Sequence, residues 1–432
     1  MEEKIDLSEL LKILETFNIE ELEDVTIELG EDGEMVIEIE PGQMQIPPAL
    51  YKVAYYAQLL AQSLQELTGV SITIPTVPTA PEAVPEVPKV TLEPATFEIP
   101  KVKWLQEIEE ITLGATKSDG GTRDYVIKVG GHKTLPFYNF EAKNPNVPVV
   151  TVDVFDMPIP LAGPVKATIE DVMEDPSDWA KKCVKEFGAD MVTIHLISTD
   201  PAIKDTPSKE AAKVVEDILQ AVKVPIVVGG SGVPEKDPEV LEEAAKVAEG
   251  ERVLLASASL NLDYKRVAKA AIDYGHVVLS WTQLDINNQK TLNRYLFREG
   301  VPRDQIIMDP TTAALGYGLD YAFTNMQRIR ISGLKGDRDL NFPMSSGTTN
   351  AWGAREAWMK QSPVEGEEWG PRELRGPLWE VVTGLTLALA GGDLFMMMHP
   401  FAVKTLKETC LQLAGMLEKE YPEITDWVSA RF

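Results

Sequence analysis

Pro225-Ile226-Val227-Val228-Gly229-Gly230-Ser231-Gly232 is the stretch on which the fold turns. Pro225 to Val228 is apolar without polar alternation, the pattern of a short strand buried on both faces, as in a parallel sheet. The run stops at glycines, which permit positive φ and close backbone approach. A helical pattern follows over Pro238–Ala248. A buried strand, a glycine-rich loop and a helix make one unit of an α/β fold, and such folds hold ligands beyond the carboxyl ends of their strands.

Working outward, the unit recurs. Further strand candidates lie at Val149–Val154, Met191–Leu196, Val253–Ala256, Val277–Ser280, Ile306–Met308, Leu340–Met344 and Leu394–Met398. Helical patterns lie between them, among them Ser208–Val222, Asp263–Tyr274, Asn287–Glu299 and Leu374–Ala390. With the opening stretch this makes eight strands alternating with helices from about Val147 onward, the size and order of a (β/α)8 TIM barrel. A doubly wound sheet is the competing α/β architecture. It usually shows a dinucleotide loop after its first strand, and Asp156-Met157-Pro158-Ile159-Pro160 is not one.

Upstream, Leu7, Leu10, Leu11 and Leu14 recur at helical spacing within Ile5–Phe17, and Pro47–Leu67 reads as a second helix. Between them Val25–Leu29 and Met35–Ile39 alternate around Glu31-Asp32-Gly33, the pattern of a hairpin. Residues 1–74 are therefore expected to form a small α+β domain with a docking role. Residues 75–100 hold seven prolines, a composition that disfavours helix and sheet and gives a semi-rigid spacer. Residues 101–146 lead into the barrel at 147–432 through a second hairpin, Glu110–Ala115 and Tyr125–Val129. Its connection, Lys117–Arg123, contains Gly120-Gly121 but lacks the Lys-Ser/Thr ending and following helix of a phosphate-binding P-loop. The hairpin is expected to plug one end of the barrel.

The chain has 432 residues, with 41 Lys and Arg against 68 Asp and Glu, a net charge of −27. That excess argues against nucleic acid or an anionic membrane as partner. The two cysteines, Cys183 and Cys410, sit on helical patterns as core residues and are too few to hold an iron–sulfur cluster. Met1-Glu2-Glu3-Lys4 does not begin a signal peptide, and no apolar run approaches the roughly 20 residues of a membrane span. The expectation is a soluble, reduced, cytoplasmic protein.

The expected strand ends present Ser198, Thr199 and Asp200; Gly229, Gly230 and Ser231; Ser257, Ala258 and Ser259; Trp281 and Thr282; Asp309, Thr311 and Thr312; Ser345, Ser346, Gly347, Thr348, Thr349 and Asn350; and His399. This rim is rich in hydroxyls and glycine and offers no lysine for a Schiff base and no paired histidines for a metal. His195, inside a strand, and His276, just before one, read as structural, whereas His399 is better placed for ligand contact, although a lone His at a strand end is more often a hydrogen-bonded support. Asp200 and Asp309 adjoin prolines and suit tight turns. Ser345–Asn350 forms a hydrogen-bonding shelf, and Trp352, Trp358, Trp369 and Trp379 follow it, which suits a large amphipathic ligand or a protein interface.

Three motifs, Ile111-Thr112-Leu113-Gly114-Ala115-Thr116-Lys117, Val227-Val228-Gly229-Gly230-Ser231-Gly232 and Met344-Ser345-Ser346-Gly347-Thr348-Thr349-Asn350-Ala351-Trp352-Gly353, resemble the small (delta) subunit of the corrinoid iron–sulfur protein of the acetyl-CoA decarbonylase/synthase, or CO dehydrogenase/acetyl-CoA synthase, system. The resemblance spans roughly Lys101 to Phe432, and the extension before Pro100 looks like the methanogen form. It implies a barrel related to pterin-binding methyltransferases, paired with a gamma (large) subunit that carries the iron–sulfur cluster and a cobamide. It implies further partners in the acetyl-CoA synthase beta subunit and the CO dehydrogenase subunits, and methyl transfer to and from tetrahydrosarcinapterin. This chain would then be a non-catalytic or half-site subunit covering the cobamide, without a cluster of its own. Cofactor contact is expected from the Ser345–Asn350 shelf, with Thr199, Gly229, Gly230, Ser231, Thr311 and Thr312 in support and Asp200, Asp309 and His399 as further candidates. The alternative is a free-standing pterin-dependent methyltransferase in which Asp200 and Asp309 grip the pterin ring. A barrel enzyme acting on an unrelated small molecule is disfavoured by the rim's sparse chemistry.

Overall fold

The computed structural model of the protein describes Val25–Leu29, Met35–Ile39 and residues 99–419. The chain divides into two units, Met1–Ala95 and Thr96–Phe432. In the first, β1 (Val25–Leu29) pairs antiparallel with β2 (Met35–Ile39), Val25 opposite Ile39. The helices expected over Ile5–Phe17 and Pro47–Leu67 and the proline-rich stretch up to residue 98 lie outside the described residues.

The second unit opens with an antiparallel pair, β3 (Glu110–Leu113) and β4 (Ile127–Gly130). Eight parallel strands follow: β5 (Val149–Phe155), β6 (Met191–His195), β7 (Ile226–Gly229), β8 (Leu254–Ala258), β9 (Val277–Trp281), β10 (Ile306–Asp309), β11 (Met344–Gly347) and β12 (Gly392–Met397). They close into one barrel, β12 pairing with β5. The fold is the (β/α)8 barrel, not the open sheet. Helices α1 (Gly163–Ile169), α2 (Pro176–Lys185), α3 (Ser208–Ala221), α4 (Asp237–Val247), α5 (Tyr264–Tyr274), α6 (Ile286–Arg298), α7 (Leu319–Leu334), α8 (Arg355–Trp358), α9 (Arg372–Ala390) and α10 (Pro400–Leu413) connect the strands and follow the last. Among the described residues no helix is long and apolar enough to cross a membrane.

One strand is displaced from its expected place. β11 begins at Met344, where the sequence pattern ends a strand over Leu340–Met344. Pro343 has no N–H for the ladder, and Phe342 instead packs beneath the Arg303 guanidinium, 4.5 Å from its ring centroid. Ser345 and Ser346 are therefore strand residues, not the start of a loop.

Two apolar clusters fix the architecture. One lies between strands and helices and includes Val152, Ile194, Val228, Leu255 and Met308 together with both cysteines, which are free and buried. The other fills the lumen: Met191, Val227, Leu254, Val277, Ile307 and Leu394 pack against Ile111, Leu113, Ile127 and Val129 of the β3–β4 hairpin. These lumen residues start their strands, so the hairpin closes the amino-terminal end and leaves the carboxyl end as the mouth. Gly114 is required beneath the third barrel strand: its φ is +83°, and a Cβ there would stand 2.7 Å from Pro225 Cγ. Arg123 clasps the hairpin to α3. It donates to the carbonyls of Leu219 and Val222, both at 2.7 Å, which the helix end leaves unpaired, and to Glu251 at 2.8 Å. The Lys117–Arg123 turn holds a carboxylate of its own, Asp119, through the Thr116 N–H and hydroxyl.

Candidate functional site at the barrel mouth

Side chains alternate along a strand, so the residues two beyond the lumen cluster face the same interior. Thr193 and His195 follow Met191, Gly229 follows Val227, Trp281 follows Leu279, and Asp309 follows Ile307. On β5, Val150, Val152 and Val154 pack outward, which turns Thr151 and Asp153 in. On β11, Met344 packs outward and turns Ser345 in.

The result is a polar layer above the apolar plug. Thr151 and Thr193 share a hydroxyl hydrogen bond of 2.8 Å. Above it His195 Nε2 lies 3.3 Å from Asp153 Oδ1, and the ring stacks on Phe155 at 5.0 Å. A Cβ on Gly229 would sit 3.5 Å from His195 Nδ1, in ordinary contact, so the missing side chain leaves that imidazole edge open to the mouth. Across the lumen Asp309 accepts from the Thr311 N–H at 2.9 Å. Burial pushes its carboxyl up to about 6. Ser345 lies beside it, fully buried, with its hydroxyl directed at the Asp309 carboxylate, which opposes that rise. Among the described residues no three His, Cys, Asp or Glu side chains are arranged to hold a metal ion.

The other rim residues are engaged in the loops. Asp237 fills the Gly230-Ser231-Gly232 turn: Ser231 N–H and Gly232 N–H each donate to it at 2.9 Å, and the Ser231 hydroxyl at 3.0 Å. A Cβ on Gly230 would meet that carboxylate at 2.4 Å, so only glycine fits. Thr199 donates to Leu196 O at 2.7 Å, and Asp200 accepts from Ala202 N–H at 2.7 Å, closing a turn. Thr311 donates to Thr282 O at 2.8 Å with φ at +68°. Thr312, Ser346 and Thr348 form a buried hydroxyl chain at 2.8 and 2.9 Å, and Asn350 ties back to Thr312 O at 2.9 Å. Gly347 lies at the end of β11, and Thr349, half-buried, belongs to the turn after it.

The structure thus pairs Asp309 with Ser345 on one side of the lumen and leaves Gly229 across it beside His195. Asp153 was not among the expected site residues, and His195 was expected to be structural. The available signal was Thr151 and Asp153, polar at a spacing of two in an otherwise apolar strand.

His399 stands at the start of α10, its Nδ1 accepting from Phe401 N–H at 3.2 Å. Burial lowers its pKa to about 4 and keeps the ring neutral. Glu380 of α9, with no exposed surface, accepts the N–H groups of Met398 at 2.6 Å and His399 at 3.1 Å and so fixes the loop after β12. Burial pushes its carboxyl from 4.5 up to about 8. Between these values the folded chain keeps a proton that the unfolded chain releases, so this group lowers stability as pH rises from 4.5 to about 8. Glu380→Gln is expected to flatten that decline, read as a smaller fall in melting temperature than wild type across the same range. Parallel curves would contradict it.

The family model "CO dehydrogenase/acetyl-CoA synthase delta subunit" matches residues 110–364. The chain is 56% identical over 450 residues to the acetyl-CoA decarbonylase/synthase complex subunit delta of Archaeoglobus fulgidus, covering 98% of this chain and 99% of that one. It is 54% identical to the subunit delta 2 of Methanosarcina acetivorans, with all of both chains covered. Among solved structures it is similar to the 7,8-dihydropteroate synthase of Vibrio fischeri, at 16% identity and a TM-score of 0.43 over 64% of this chain and 95% of that one. Matched along more than half its length by the family model and near end to end by these relatives, the chain belongs to the acetyl-CoA decarbonylase/synthase complex subunit delta family.

Proposed function

We propose that this delta subunit pairs with the gamma corrinoid iron–sulfur subunit and lays its barrel mouth over the cobamide that gamma carries. In this reading it supports methyl transfer between tetrahydrosarcinapterin and the acetyl-CoA synthase beta subunit, within a cytoplasmic complex that also contains the CO dehydrogenase subunits. The observation that supports it is the mouth itself. Its ionisable groups face partners within the chain, Asp153 lying 3.3 Å from His195 and Asp309 accepting from Thr311, and Gly229 and Gly347 leave those rim positions without side chains.

Those residues fit a broad, flat macrocycle. Ser345 places its hydroxyl beside Asp309 in the lumen, and Trp281 and Met396 offer apolar surface there. The bound cobamide would supply the metal centre that accepts and releases the methyl group, while the protein positions and shields. In this chain Gly229 and Gly347 would admit the ring, the apolar lumen would exclude water, and Asp153 would hold the His195 ring in place.

A second reading has one observation in its favour: Asp309, a buried carboxyl at a strand end, is the type of group that grips the paired N–H donors of a pterin. An assay separates the two. The full chain alone, given methyl-tetrahydropterin and free cob(I)alamin, is expected to show no turnover above background, and addition of the gamma subunit is expected to supply it. Saturable, pterin-dependent turnover by this chain alone would replace the first reading with the second.

A further inference from the structure

We infer that a pocket on the rim, at the ends of β8 and β9, receives the neutral carboxamide side chains that fringe a corrin macrocycle. This rests on the reading of the mouth as a cobamide cover. The pocket is a cleft of about 90 Å³ at the edge of the lumen, lined by Ser259, Leu260 and Asn261, by Trp281, Thr282 and Gln283, and by Asn288 from the first turn of α6. That volume holds several waters, enough for a terminal amide.

Its lining has no charged side chain, although 25% of the chain's residues are charged. Phosphate or carboxylate would call for a cation there, and the paired N–H edge of a pterin would call for a carboxylate acceptor. A divalent metal would call for imidazole, thiolate or carboxylate. None lines this pocket. What it holds is three primary amides, those of Asn261, Gln283 and Asn288, whose side chains make no hydrogen bond within the protein. Their backbones are anchored: Asn261 N–H donates to Ser259 Oγ at 3.3 Å, and Asn288 N–H to Asp285 at 2.9 Å. A carboxamide offers two donors and an acceptor, so it pairs with another in a self-complementary way. Position agrees with chemistry. A macrocycle lying flat over the lumen would carry its outer substituents to the rim, where this pocket lies.

The test is a titration of the full chain followed by tryptophan fluorescence. The probes are cobinamide, fringed by amides, and cobyrinic acid, its carboxylate counterpart. Wild type is expected to bind cobinamide at least tenfold more tightly than cobyrinic acid. The double variant Asn261→Asp, Asn288→Asp alters two exposed side chains, so its melting temperature is expected to stay unchanged while its cobinamide affinity falls at least tenfold. Trp281→Phe is expected to remove much of the fluorescence change. Unaltered cobinamide affinity in the double variant would overturn the pocket and leave the cover at the mouth standing. Absence of cobinamide binding by wild type would also overturn the pocket, whereas the cover over a cobamide that gamma carries falls only if cobalt in the delta–gamma complex lies away from this mouth.

Discussion

Asp393→Ala is expected to lower the unfolding free energy by about 3–5 kcal/mol, the cost of leaving a buried partner charge uncompensated. Asp393 opens β12 and is buried with Arg330 and His132. Arg330 donates to it at 2.5 Å and His132 Nε2 lies 3.4 Å away. The same carboxylate accepts the Met344 N–H at 2.8 Å, so it also sets where β11 begins and where Ser345 points. Removing it strands the guanidinium of Arg330, whose side chain has no exposed surface. Urea unfolding gives the measurement. Replacing both members with apolar residues, Arg330→Met with Asp393→Leu, is expected to recover most of the loss, because a missing pair costs less than half of one. A single-variant loss below about 1 kcal/mol would mean that water or a rearranged loop satisfies Arg330.

Gly229→Trp is expected to abolish function and spare the fold. A Cβ at this position finds only ordinary contacts, at 3.5 Å or more, and the side chain would project into the mouth beside His195. The variant should fold and associate with gamma as wild type does, yet methyl transfer by the assembled complex should fall at least about 100-fold, equivalent to about 3 kcal/mol of barrier. Gly230→Trp, next along the chain, supplies the contrast. There a Cβ meets the Asp237 carboxylate, so the loss should appear in stability first. Unchanged methyl transfer in a folded Gly229→Trp complex would mean that nothing large seats on this mouth.

The barrel was legible because it is written in repetition. Short apolar runs ending in glycine or hydroxyl residues, each followed by a helical period, admit few architectures, and seven of the eight expected strands lie within a few residues of the observed ones. The site was less legible because it depends on register. A start at Leu340 made Ser345 a loop residue, whereas Pro343 moves the start to Met344 and turns Ser345 into the lumen. Asp153 was hidden in a strand read as uniformly buried, since buried on both faces does not reveal which face is the lumen. The Gly230-Ser231-Gly232 loop has the composition of an anion cradle, and its occupant is Asp237, a few residues downstream. Sequence composition cannot say whether a cradle is filled by the chain itself.

The position of cobalt in the assembled delta–gamma complex tests the central claim most directly. Anomalous scattering at the cobalt edge would locate the metal without prior phases for either chain. The account predicts a peak directly over the carboxyl ends of the eight strands, nearer to Gly229 and Ser345 than to any residue of the β3–β4 hairpin. A peak at the hairpin end, against the outer helices, or remote from this chain altogether would contradict it.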